Sequence, residues 1–182
     1  MKYSKMKLRK EIEPKWSIAE KLYPEILKSI LDYTDFCNEN GDEENIEYKK
    51  LEELLHKFTG KDMSKFNLWE WWEGEGAEVL SFKIALPDPV IIENITKEEL
   101  SEIISEHLEY SDEWMLNENI EVDFKTQFYP YLEDYYHNFL KINFKKTYDY
   151  QKIFGSQKDK DKKQFWLSNS EKIDRLWNNG TF

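Results

Sequence analysis

Cysteine, arginine, glycine and long apolar runs are all scarce in this chain, and each shortage removes a class of protein. Cys37 is the single cysteine among 182 residues. No internal disulfide can therefore form, and a reducing compartment is expected. One cysteine and three histidines cannot build a cysteine-rich zinc site. The six glycines never fall into a Gly-x-Gly-x-x-Gly or Gly-x-x-x-x-Gly-Lys loop, so no phosphate cradle is written here. No serine sits in a Gly-x-Ser-x-Gly elbow. Arg9 and Arg175 are the only arginines among 26 basic residues. Lysine lacks the planar fork that grips phosphate and guanine, so direct nucleic-acid binding is not expected. No apolar run exceeds three residues, which excludes a membrane-spanning helix and a signal-peptide core. The basic, polar N-terminus has no cleavage pattern, and the cytoplasm is the expected compartment. No reactive constellation is legible, so neither an enzyme nor a cofactor is expected.

What is abundant is acid and aromatic surface. Aromatic residues make up 16% of the chain, a share that a disordered polypeptide would not carry. The 37 acids against 26 bases give a net charge of −11 and a pI near 4.9. A surface of that sign repels nucleic acid and anionic lipid and favours a basic protein partner.

The charge is not spread evenly. Residues 93–123 hold eleven carboxylates and one lysine, Lys97, a local net charge of −10. A helix is expected to start at Thr96, with Glu99 three residues on to complete a capping box. Leu100, Ile103, Ile104, His107 and Leu108 recur at three-four spacing and form its buried stripe. Glu98, Glu102, Glu106, Glu109 and Glu113, with Asp112 beside them, form an acidic ridge on the opposite side. Like charges at that spacing repel by a few tenths of a kcal/mol per pair. Meanwhile residues 141–163 carry eight lysines against three aspartates. A merely solvated helix face would mix signs, so the segregation points to a binding role.

The rest of the chain is read from periodicity. Residues 1–15 suggest a mobile basic arm or a short first element. A helix follows, with a weak Ser17/Glu20 capping signal and Pro24 expected in its first turn. It ends near Gly41. A second helix over 47–58 stops at Gly60. Alternation of Leu68, Glu70 and Trp72 with Trp69 and Trp71, then of Leu80, Phe82, Ile84 and Leu86, predicts a β-hairpin near residues 68–86. Residues 90–92 suggest a short buried strand, and 120–128 another. Tyr129-Pro130 opens a further helix, residues 155–164 form a lysine-rich loop, and the apolar cluster ending at Trp177 marks a short final helix. The expected fold is α+β: a single domain, residues 1–182, of several helices packed on a small antiparallel sheet.

Several candidate sites compete. Glu53/His56 and Asp134/His137 each put a carboxylate and a histidine three apart on a helix. With Glu102 or Glu106 they could face a shared metal, but the intervening strands do not suit such a bundle and no metal is expected. Cys37 lies on an apolar stripe and reads as an inert core residue. His107 reads as a hydrogen-bonded boundary histidine. Trp69 and Trp71 would share one strand face with Trp72 on the other. Where exposed, they would be aromatic anchors among Glu70, Glu73, Glu75 and Glu78, the composition of a protein-binding hot spot. The expected partner-binding residues are accordingly Glu98, Glu102, Glu106, Glu109, Asp112, Glu113, Trp69 and Trp71.

These features point to an acidic binding protein, most concretely an immunity or inhibitor protein that neutralises a basic toxin or nuclease. The lysine-rich, arginine-poor usage suits a bacterial or phage origin. An enzyme with dispersed carboxylates and histidines, and an assembly protein binding through exposed aromatics, are the alternatives.

Overall fold

The computed structural model describes residues 8–108 and 123–182. Among them the fold is mainly helical with one two-stranded antiparallel sheet. The chain forms two compact units, which take residues 15–87 with 123–131, and residues 8–14, 88–108 and 132–182.

The first unit is organised by two helices. Helix α1 (Trp16–Asn40) buries Ala19, Ile26, Ile30 and Tyr33 on one face, the spacing that an amphipathic helix requires. It packs against α3 (Ala77–Ala85). Pro24 lies inside α1 rather than in its first turn, and no side chain caps the start at Lys15. A proline in a helix interior costs about 3 kcal/mol. The burial of the α1 face offsets that penalty, so the Ser17/Glu20 signal is overridden. Helix α2 (Ile46–Thr59) ends at Gly60, whose φ of 72° is the left-handed cap expected from the sequence. Its start is held from a distance. The Asp42 carboxylate accepts hydrogen bonds from the backbone N–H groups of Ile46, Glu47 and Tyr48 at 2.8, 3.2 and 2.8 Å.

The β-hairpin expected at 68–86 does not form. Residues 71–73 make a 3-10 turn, and 77–85 is helix α3. Within α3, Ala77, Val79, Ser81, Phe82, Ile84 and Ala85 are all buried. A helix covered nearly all round loses its 3.6-residue period, and its large residues alternate by accident. The small residues Ala77, Ser81 and Ala85, four apart, are the helical trace that was overlooked. Phe82 is the centre of the unit. It stacks on Phe128 at 4.6 Å and 8°, and on Trp16 at 5.7 Å.

The strand expected at 120–128 is also corrected over its described part. Asp123 caps helix α5 (Phe124–Phe128), accepting the Thr126 N–H at 2.7 Å. Phe124 and Phe128 both pack on Tyr23, at 5.3 and 5.2 Å. Two residues four apart share a face in a strand and in a helix alike, so only the cap distinguishes the two. Residues 120–122 lie outside the described part.

The Ser81 hydroxyl is fully buried and has no hydrogen-bond partner among the described residues. An unsatisfied hydroxyl is costly to bury. Ser81→Ala is therefore expected to leave stability unchanged or raise it by up to about 1 kcal/mol. Chemical denaturation checks this, and a clear loss of stability would mean that the hydroxyl is satisfied.

In the second unit, residues 8–14 are not a mobile arm. Leu8, Ile12 and Pro14 are buried, and the Ile12 carbonyl accepts from the Tyr135 hydroxyl at 3.3 Å. Burial pushes that phenol up to about 12. Helix α4 (Lys97–Glu102) has the expected Thr96/Glu99 capping box. Glu99 turns out to be buried and also takes a two-pronged ion pair from Arg9, at 2.5 Å to Nε and 3.1 Å to Nη2. Glu99→Ala removes the box and the ion pair, and the thermal midpoint is expected to fall by about 5 °C. An unchanged midpoint in calorimetry would refute this role.

Residues 90–92 form no strand. The side-chain amide of Asn143 donates to the Val90 carbonyl at 3.1 Å and accepts from the Ile92 N–H at 2.7 Å. Val90 and Ile91 are exposed, at 53% and 65%. Helix α6 (Glu133–Asn143) buries Tyr135, Tyr136, Phe139 and Leu140. The short helix α7 (Tyr150–Ile153) leads to the only sheet among the described residues, β1 (Gln157–Lys158) paired with β2 (Gln164–Phe165). The lysine-rich stretch expected as a loop is thus a miniature hairpin. Helix α8 (Asn169–Trp177) closes the chain behind a Ser168/Glu171 capping box.

Five caps share one electrostatic signature. Asp62, Asp123, Asp149 and Glu171 are held below the usual carboxylate range, chiefly by side-chain hydrogen bonds and then backbone ones. At Asp42 burial pushes upward most strongly, yet the three backbone amides and Tyr33 together bring the carboxyl down. A depressed folded value means that the unfolded chain binds more protons in acid. Stability is therefore full above the ordinary carboxylate range and is expected to drain away as pH falls below about 4. A thermal midpoint flat between about pH 7 and 3 would contradict this.

Candidate functional site

The turn that carries the tryptophans begins with an Asx motif. The Asn67 side-chain oxygen accepts from the N–H groups of Trp69 and Glu70 at 3.2 and 3.0 Å, and its amide donates to the Glu70 carboxylate at 3.0 Å. The 3-10 turn Trp71–Glu73 follows, and the Trp71 carbonyl accepts from both Gly74 and Gly76 at 3.2 Å. Gly76 has φ 93°, a conformation that side chains rarely tolerate, and it delivers the chain into α3. A Glu75–Lys83 ion pair at 2.5 Å fastens the turn to that helix.

The three indoles support one another. Trp71 is half-buried, and its Nε1–H donates to the Thr34 hydroxyl on α1 at 3.0 Å. Trp69 is half-buried and meets Tyr33 edge to face at 5.8 Å. Trp72 packs edge to face against both, at 5.1 Å from Trp69 and 5.5 Å from Trp71, and is itself 49% exposed. Tyr33 in turn donates to Asp42 at 3.3 Å, and burial pushes its phenol well above the usual range. The result is a rigid aromatic stack that ends in one open indole. Glu70, Glu73, Glu75 and Glu78, which flank it in sequence, are all exposed.

Trp69 and Trp71, singled out from the sequence, are therefore the supports, and Trp72 is the exposed member. The strand-face assignment of the three is corrected, because a turn and a 3-10 segment have no alternating faces. Only the acid-rich flanks signalled that an indole would stay open here.

The acidic ridge is placed in part. Glu98 is exposed, while Glu102 and Glu106 are half-buried and each is engaged. Beyond Glu102 the helix continues as a π-helical turn, Ile103–Leu108. The wider winding adds about one residue per turn and breaks the i+4 stripe. Leu100, Ile103 and Ile104 are buried as expected. His107 is half-buried and stacks on Tyr136 at 4.5 Å and 21°. Glu109, Asp112 and Glu113 lie outside the described residues. Lys97 pairs with Asp174 at 2.6 Å.

His56 is exposed on α2 and His137 half-buried on α6. His56 sets Nδ1 against the Lys61 carbonyl at 2.7 Å. His137 lies 3.5 Å from Glu133 and 3.2 Å from the Tyr148 hydroxyl, within a ring cluster formed by Tyr148, Tyr150 and Phe154. No group of three or more potential metal ligands occurs among the described residues. Cys37 is half-buried and free. No described helix is long and apolar enough to cross a membrane. Comparison with protein-family models, curated proteins and solved structures returns no match.

Proposed function

We propose that this chain is an acidic binding protein that docks a basic partner, most concretely an immunity or inhibitor protein for a cationic toxin or nuclease. The observation that carries the reading is the open Trp72 indole, 49% exposed on an aromatic stack and flanked in sequence by the exposed Glu70, Glu73, Glu75 and Glu78. A preorganised aromatic anchor supplies affinity without an ordering penalty, and surrounding acids steer a basic surface onto it. Nuclease active sites are basic because they hold phosphate, so an acidic, anchored surface can block them. Glu98 and the rest of the 93–123 acids add long-range attraction in the same sense.

The test is affinity capture from host lysate on the immobilised chain, eluted with a salt gradient. A basic protein that is retained by the wild type and lost from Trp72→Ala, with circular dichroism unchanged, supports the reading. Equal capture by the variant refutes it.

A further inference from the structure

The hairpin in the second unit has the opposite chemistry to the tryptophan turn. Lys158, Lys160, Lys162 and Lys163 are all exposed along it. Asp159 is committed to the turn, where its carboxylate accepts from the N–H groups of Asp161 and Lys163 at 2.8 and 2.9 Å. Lys162 takes the left-handed position at φ 63°. Immediately after β2, Trp166 is 63% exposed, and Phe165 is 39% exposed. A short sheet that leaves two large aromatics open beside four lysines is a surface built for an acidic, aromatic counterpart.

The chain itself carries such a counterpart. We propose that residues 158–166 dock on the acid-flanked Trp72 turn of a second copy, with lysines facing its exposed glutamates, Glu73 among them, and Trp166 packing against the Trp72 indole. The proposal rests on reading the Trp72 turn as a docking surface. Phosphate-bearing partners fit less well. The chain carries a net charge of −11, the hairpin interleaves Asp159 and Asp161 with its lysines, and it contains no arginine. An exposed indole in an acid-rich turn answers both the charge and the ring, whereas a phosphate surface answers only the charge. The contact joins two different patches, so it closes as a reciprocal dimer or runs on as a chain of copies. It also makes self-association and capture of a basic partner mutually exclusive at Trp72.

Sedimentation velocity over a concentration series, at low and high salt, tests this directly. The wild type is expected to associate at low salt and to dissociate as salt screens the lysine–glutamate contacts. Trp166→Ala is expected to weaken association at least about tenfold. Charge-swapped variants guard against a folding artefact. Lys158→Glu/Lys160→Glu and Glu73→Lys should each associate poorly alone, and an equimolar mixture should recover the association. A monomer at every concentration, or association indifferent to all these changes, overturns the proposal. So does a monomer whose hairpin binds anionic phospholipid vesicles or a single-stranded oligonucleotide and loses that binding in Trp166→Ala. The hairpin variants leave the Trp72 turn intact. Capture of a basic partner by those variants thus reports on the proposed function separately from self-association.

Discussion

Phe82→Ala is expected to destabilise the chain by about 4 kcal/mol, the upper part of the range for truncating a core aromatic. Phe82 is fully buried, lies parallel to Phe128 at 4.6 Å, and meets Trp16 and Phe124 at 5.7 and 6.0 Å. Removing the ring deprives three elements, α1, α3 and α5, of their common neighbour. The cavity cannot close without moving α1 and α3 together, which places the variant high in the range. A protein of ordinary stability has only about 5–15 kcal/mol in total, so the thermal midpoint should drop by about 12 °C. Phe128→Leu keeps most of the volume and should cost far less, about 1 kcal/mol. Calorimetry on the two variants separates the cases. If Phe82→Ala melts within a degree or so of wild type, the aromatic core is misassigned.

The second large effect is a contrast between neighbouring tryptophans. On the proposed function, Trp72→Ala should weaken binding of a basic partner by about 2 kcal/mol or more, roughly thirtyfold. Half of the indole is open, but its two edge-to-face contacts are lost, so stability should also fall by about 1 kcal/mol. Trp71→Phe should spare binding. It removes the hydrogen bond to Thr34, costs about 1 kcal/mol of stability, and leaves binding nearly intact. Titration calorimetry and thermal melts on both variants give four numbers, and only this pattern fits the division into anchor and support. Equal loss of binding in the two would mean that the stack acts as one structural unit.

The parts of the fold that were legible in the sequence are those written in local stop and start chemistry. Gly60 ends α2 because only a left-handed residue closes that helix cheaply, and Thr96 with Glu99 starts α4 by reciprocal hydrogen bonds. Both signals are local, and here no tertiary contact competes with them, whereas the Ser17/Glu20 signal is overridden by the burial of α1. The failures were of period. Residues 77–86 alternate in size, yet α3 buries six of its nine residues and leaves only Glu78, Leu80 and Lys83 less covered, too few to reveal its winding. Phe124 and Phe128 fit either period. Pro24 was weighed by its local penalty, which the long buried face of α1 overrides. The buried stripe of the acidic helix holds at Leu100, Ile103 and Ile104, but the spacing does not show that the winding changes to a π turn from Ile103 onward. At the candidate site, the composition around Trp69–Trp72 was legible. Which indole stays open was not, because that depends on Thr34 and Tyr33, more than thirty residues away in sequence.

The account stands or falls on where a basic partner lands, and hydrogen exchange on the chain, free and loaded with the captured partner, reads this directly. Slowed exchange centred on residues 67–78, reversed by salt, is the predicted result. A loaded chain in which 67–78 exchange as before, with protection confined elsewhere, would contradict it.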